Sequence, residues 1–136
     1  MRVAPAVLFV ISVSVLALAA SLEANESGVG THRQLGFPAC GFLSSTGLPC
    51  ATCGMTTAFT HAVHGRPLKA FLTQPVGAVL AVLTAVLALV SGYATIAGAS
   101  LAPLGRSLAR PAIFWTGGAL LLAAWVFKIL VFRGVI

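Results

Sequence analysis

The chain has 136 residues, of which 59% are hydrophobic and 7% are charged. A water-soluble domain carries about a quarter charged residues, so this composition excludes that class and indicates a membrane protein. The net charge of +6 does not indicate nucleic-acid binding, because the 8 basic residues are scattered beside apolar runs and form no patch. The length accommodates a single membrane domain, residues 1–136, and no separate soluble module.

Residues 3–22 form the first apolar run, which carries no charge. At about 1.5 Å per residue it is long enough to cross a hydrocarbon core of about 30 Å, and it predicts a membrane-spanning helix. Arg2 before the run and the small residues Ala17 and Ala19 near its end also fit a cleaved secretory signal. We favour the retained helix, because the run is longer than the roughly 7 to 15 residues that the centre of a signal peptide needs.

The chain then begins its polar part, residues 23–74, which contains every cysteine, histidine and acidic residue. Residues 23–39 predict a flexible linker, and residues 40–75 hold a cysteine motif and a short interfacial helix. Cys50 and Cys53 form a C-x-x-C pair, whose spacing suits either a shared metal ion or reversible thiol exchange. Cys40 lies ten residues before Cys50, and the turn-forming residues between them can bring the three thiols together.

Residues 54–64 predict an amphipathic helix that lies at the membrane surface or caps the helix bundle, with its polar side toward a cavity. Its polar face carries Thr57, His61 and His64. The simplest role for the two histidines is to hydrogen-bond Thr57 and Thr60, one turn away.

A metal ion at the thiols cannot also be held by this helix. On a straight helix His64 lies about 16 Å along the axis from Cys53. A site at Cys40, Cys50 and Cys53 therefore needs a fourth ligand such as His32, water or another chain, and zinc is the expected ion.

Two further apolar runs, residues 76–102 and 112–132, predict two more spanning helices. The connection between them is short, so they are expected to form an antiparallel hairpin. Trp125 in the last run fits the aromatic belt, and the long side chain of Lys128 can carry its ammonium to the membrane interface. The expected fold class is therefore all-α, with about three transmembrane helices and the interfacial helix.

The apolar run of residues 76–102 contains small residues at intervals of four. Such a stripe lets helix backbones approach closely in lipid, although an alanine-rich helix also shows this spacing by chance. The small residues are Gly77, Ala81 and Ala85, then Ala94, Gly98 and Ala102.

The cysteine segment resembles a small bacterial membrane family catalogued as domain of unknown function 2752. The likeness covers residues 40–89 and rests on the cysteine spacing and on the motif Cys-Ala-Thr-Cys-Gly-Met-Thr at residues 50–56. It implies a multi-pass bacterial membrane protein and brings no known activity or cofactor. Ala51, Thr57 and Gln74 stand where the family pattern has proline, arginine and asparagine, and the missing arginine argues against anion binding at that position.

The basic residues give opposing indications of orientation. A signal-like first segment behind Arg2 favours an amino end in the cytoplasm, and this places the cysteine segment on the extracytoplasmic side of the bacterial inner membrane. Arg106 and Arg110 then lie inside, and Arg66 and Lys69 outside, where they are expected to contact lipid headgroups. The other basic residues outside would be Arg33, Lys128 and Arg133.

Two functional classes fit the sequence. The first, which we favour, is a non-enzymatic protein that binds a membrane-protein partner or a second copy of itself through the small-residue stripe and the cysteine segment. The second is a thiol-redox or zinc-binding membrane protein that uses Cys40, Cys50 and Cys53, although a plain disulfide or buried small residues would also explain the cysteines. A hydrolytic enzyme is disfavoured, because Glu23 and Glu26 are the only acidic residues.

Overall fold

A computed structural model of the protein describes residues 3–135, and in that range the chain is helical, without strands. Three of its helices are long and apolar enough to cross a membrane, so the prediction of an all-α membrane protein is confirmed. A 3-10 helix, Thr31–Leu35, precedes the second α-helix. The α-helices are α1 (Val3–Ala20), α2 (Gly41–Thr46), α3 (Met55–Val63), α4 (Pro67–Thr73), α5 (Pro75–Ala97), α6 (Ala102–Leu108) and α7 (Pro111–Phe132).

The candidate spans α1, α5 and α7 coincide with the three apolar runs. α5 begins at Pro75, whose fixed φ suits a first helical turn. It ends at Ala97, five residues before the apolar run ends, because Gly98 adopts a left-handed conformation with φ 70°.

The small residues of α5 allow its neighbours to pack closely. A Cβ atom added at Gly77 would lie 3.0 Å from the Cβ of Ala58 on α3, and one added at Gly92 would lie 3.1 Å from the ring of Phe9 on α1. The stripe is therefore used inside the chain, although Gly98 and Ala102 at its far end are exposed. The buried residues of α5 are Gly77, Ala78, Ala81, Ala88, Ser91 and Ala94.

The helix α7 contacts α5 only sparsely, and the short connection expected between them contains a helix of its own, α6. Two side chains of α7 turn toward the cysteine segment instead. Trp125 donates a hydrogen bond from Nε1 to the carbonyl of Pro49 at 2.9 Å. Lys128 is 4% exposed, and its ammonium donates to the carbonyls of Gly28 at 3.1 Å and Thr73 at 2.8 Å. The Lys128 ammonium therefore does not extend into solvent, because two backbone carbonyls beside the end of α7 accept its hydrogen bonds.

In the segment 23–39, expected to be a flexible linker, the 3-10 helix packs against α3, whereas residues 33–39 are exposed. Thr31 is 1% exposed, and its hydroxyl lies 2.8 Å from the hydroxyl of Thr57. The Gln34 side chain also pairs with the backbone of Glu23, accepting from its N–H and donating to its carbonyl. Polar side chains thus fasten this segment beside the cysteine motif.

Candidate metal centre

The three thiols meet at the end of the helix bundle. Cys40 is the N-cap residue of α2, and Cys50 and Cys53 occupy the turn before α3. Their Sγ atoms all lie within 4.8 Å of one another, and those of Cys50 and Cys53 are 2.9 Å apart. All three cysteines are free. The predicted convergence is confirmed.

Two glycines give the backbone the reversals that this convergence requires. Gly47 ends α2 with φ 69°, and its N–H donates to the carbonyl of Leu43. Gly54 follows Cys53 with φ 89° and is the N-cap residue of α3. Both lie in the left-handed region, which is open to glycine at little cost. Between them the N–H of Cys53 bonds the carbonyl of Cys50 at 3.0 Å and closes the C-x-x-C turn.

Two side chains from distant parts of the sequence anchor the carbonyls of this turn. Trp125 binds the carbonyl of Pro49, as described above, and its ring meets that of Phe42 edge-on at 6.4 Å. Gln74 is fully buried and donates from Nε2 to the carbonyl of Ala51 at 2.8 Å. Ala51 and Gln74, two of the departures from the family pattern, therefore touch each other.

The two thiols of the C-x-x-C pair have opposite acidities. Burial raises the pKa of Cys50, but hydrogen bonds from Cys53, Thr52 and Cys40 outweigh it and lower the pKa to about 7. Burial, followed by the hydrogen bond to Cys50, raises the pKa of Cys53 to about 12. Cys50 is thus the thiol that ionises first, and Cys53 retains its proton unless a cation binds beside it.

A cavity of about 380 Å³ opens over the thiols, and His32 lines it. The Nε2 atom of His32 lies 3.2 Å from the carbonyl oxygen of Pro38. Since a carbonyl can only accept, Nε2 carries the proton of that hydrogen bond, and the neutral ring keeps a free lone pair on Nδ1. A histidine ligand that donates its other ring N–H to a backbone carbonyl is the usual arrangement at metal sites.

This donor set fits a soft divalent ion. Tetrahedral zinc binds sulfur at about 2.3 Å, which separates the ligand sulfurs by about 3.8 Å. The observed separations, from 2.9 Å to at most 4.8 Å, lie on both sides of that value. Three thiolates with one imidazole would complete a closed Cys₃His set.

The helix α3 keeps its two histidines away from the thiol cavity. His64 is exposed, and its Nδ1 lies 2.7 Å from the carbonyl of Thr60, close to the local bond expected. The bond expected between His61 and Thr57 is not formed, because the Thr57 hydroxyl pairs with Thr31. Thr57, the third departure from the family pattern, is therefore fully buried with its hydroxyl paired to that of Thr31.

Sequence reasoning missed Gln74, Trp125 and Lys128 as parts of this region. One signal was available for the last two: they are three residues apart and share one face of a helix whose other nearby residues are apolar. A lysine and a tryptophan on one face, near the end of a span, indicate a polar contact at that end.

Comparison with known proteins gives one family match. Residues 40–88 match the profile of a family described as protein of unknown function (DUF2752). No curated protein and no solved structure matches the chain.

Proposed function

We propose from the site itself that the chain, which matches the model of the DUF2752 family over residues 40–88, is a membrane protein that binds one zinc ion through Cys40, Cys50 and Cys53. The observation that carries this proposal is the approach of three free sulfur atoms to within 4.8 Å of one another. Among the described residues His32 does not belong to that group, and we propose it as the fourth ligand, through Nδ1, because it lines the same cavity.

In this site zinc would be structural. A closed set of four protein ligands leaves no coordination position for a substrate, so the ion ties the start of α2 to the turn before α3. Three thiolates and one Zn²⁺ carry a net negative charge. The ammonium of Lys128 lies beside Gly54, the residue after Cys53, with its Nζ 3.1 Å from the position of a Cβ atom there, and it would offset that excess.

Partner binding through the small-residue stripe has less support than zinc binding. Gly77 and Ala81 are buried within the chain, and an added Cβ at Gly77 would already be in close contact with α3. The exposed apolar faces of α5 and α7 suit lipid, which needs no partner protein.

The zinc site lies on the extracytoplasmic side of a bacterial inner membrane, because the signal-like first segment behind Arg2 favours an amino end inside.

Elemental analysis of the full chain purified in detergent tests the proposal. We expect close to one zinc per chain in the wild type and loss of that zinc in Cys53→Ser, because the remaining ligands cannot close the site. His32→Asn is expected to weaken zinc binding at least about tenfold in a competition titration with a chromophoric chelator. His64→Asn is the matched control, since His64 is exposed and bound to its own helix.

Two results would contradict zinc binding. One is an equal metal content in the wild type and in Cys53→Ser. The other is a wild type that contains no zinc, takes up none on titration, and still presents three accessible thiols.

The opposite pKa shifts of Cys50 and Cys53 favour a second candidate function, thiol–disulfide exchange. The Cys50 thiolate would attack a substrate disulfide, forming a mixed disulfide and releasing one substrate thiolate. Cys53 would give its proton to that thiolate and attack the Cys50 sulfur, which closes a disulfide and releases the second substrate thiolate. The protein loses two electrons, and the substrate disulfide gains them.

Alkylation of the metal-free protein distinguishes this candidate. With a pKa of about 7 in place of 9.0, Cys50 is about half ionised at pH 7. The ionised fraction of an ordinary thiol at that pH is about one hundredth. A lower-pKa thiolate is also a weaker nucleophile, so we expect Cys50 to react about fivefold faster than an unfolded thiol at pH 7. The rate should rise with pH, with its midpoint near pH 7.

Cys50→Ser should remove this fast phase, whereas a native midpoint near pH 9 would contradict the exchange function. A membrane-impermeant maleimide applied to intact cells also reports the side of the membrane. Labelling only after the cells are opened would contradict the extracytoplasmic placement.

A further inference from the structure

A second cavity, of about 430 Å³, shares no residue with the cavity over the thiols. It lies where the linker segment, α3, α4 and the end of α7 meet. Four nitrogen-bearing side chains line it, those of His61, Arg66, Lys69 and Lys128, together with a single carboxylate, that of Glu26. The concentration of basic groups from three helical regions in one cavity is not explained by the fold.

The basic side chains have unused donors. Within residues 3–135, Arg66 and Lys69 are exposed and their side chains form neither an ion pair nor a hydrogen bond. Lys128 uses two of its three N–H donors on the carbonyls of Gly28 and Thr73, which leaves one donor. The carboxylate of Glu26 has no salt-bridge partner among the described residues either, so it leaves these donors available.

His61 provides a second, independent indication of a ligand. Its side chain is 9% exposed, and its Nδ1 is fully buried without a hydrogen-bond partner in the described chain. Burying an unpaired N–H costs about 1–3 kcal/mol, so the favoured tautomer carries its proton on Nε2, which stays accessible. Burial, followed by the charges of Arg66 and Lys69, lowers the pKa of His61 and keeps the ring neutral at pH 7. It therefore presents an unused N–H donor.

We infer that this cavity binds the phosphate group of a phosphomonoester or phosphodiester. Positive charge comes from Arg66, Lys69 and Lys128. The Arg66 guanidinium can donate hydrogen bonds to two phosphate oxygens at once. His61 adds a neutral donor. The cavity also has apolar walls, Leu72 and Val131, at the level where α7 ends, so the phosphate can belong to a lipid headgroup or to a soluble molecule.

The full chain in detergent can be tested with two probes. Inorganic phosphate is titrated calorimetrically, and phosphatidylglycerol is compared with phosphatidylcholine by native mass spectrometry. We expect the double variant Arg66→Gln/Lys69→Gln to bind at least about tenfold more weakly, since two charge-assisted hydrogen bonds are lost. The matched control is Arg106→Gln/Arg110→Gln, which removes two exposed charges near α6. Glu26→Gln should bind about two- to fivefold more tightly, because the opposing carboxylate is gone.

The outcomes separate the two sources of phosphate. Binding of both probes, each weakened in the cavity variant alone, supports a site for phosphate in general, whereas cavity-dependent binding of phosphatidylglycerol alone supports a lipid headgroup. Equal weakening in both double variants would show that only net surface charge matters and would overturn the inference, as would no binding of either probe. No cysteine lines this cavity, and the substitutions at Arg66, Lys69 and Glu26 leave Lys128 and the thiols unchanged, so they test phosphate binding separately from zinc binding.

Discussion

Replacing Gly54 by alanine is expected to lower the free energy of unfolding by about 2–5 kcal/mol. Gly54 has φ 89°, a conformation that costs other residues about 1–2 kcal/mol. A Cβ atom there would also lie 2.6 Å from the carbonyl oxygen of Gly28 and 3.1 Å from the Nζ of Lys128. Because backbone cannot move aside cheaply, this overpacking adds about 1–3 kcal/mol. Chemical denaturation in detergent measures the loss.

Gly47→Ala is the matched control for this substitution. Gly47 has φ 69°, but a Cβ added there would meet nothing within 4 Å, so only the conformational cost of about 1–2 kcal/mol remains. Equal losses in the two variants would show that Gly28 does not approach Gly54 as the structure has it. Gly54→Ala should also weaken zinc binding, because Gly54 directly follows the ligand Cys53 in the turn that closes the site.

The spanning helices could be predicted from the sequence because their signal is local. Length and apolar composition alone identify α1, α5 and α7, since any backbone that crosses lipid must satisfy its own hydrogen bonds. The convergence of the thiols was also predictable, because Cys40, Cys50 and Cys53 lie within one short segment that contains turn residues. These features depend on neighbours within about a dozen residues.

The support around the site could not be predicted in the same way. Trp125 reaches the carbonyl of Pro49 across 76 residues, and Lys128 reaches Gly28 across 100. Such contacts depend on which face of α7 meets the cysteine segment, and an apolar run with almost no polar asymmetry does not specify its rotation. The free carbonyls that accept these bonds are backbone groups, which leave no trace in the sequence.

The polar face of α3 shows a further limit of periodicity. The pattern separates a polar from an apolar side, but both Thr57 and Ala58 are fully buried. A threonine hydroxyl that finds a partner is inexpensive to bury, and Thr57 finds Thr31. Periodicity identifies the two sides of a helix, and the packing of the surrounding segments decides whether the polar side meets water.

Replacing Lys128 by methionine is expected to destabilise the protein by about 2–4 kcal/mol. Methionine preserves most of the apolar stem but leaves the buried carbonyls of Gly28 and Thr73 without a donor, at about 1–3 kcal/mol each, and relief of the desolvated ammonium offsets part of this. Only Ala124 and Lys128 of α7 are buried, so its attachment should weaken first. Faster hydrogen exchange at residues 24–35 and in the last turns of α7 would report this.

Arg133→Met, which removes an exposed charge just after α7, is the control and should leave hydrogen exchange unchanged. Unchanged exchange in Lys128→Met as well would mean that water serves these carbonyls equally well.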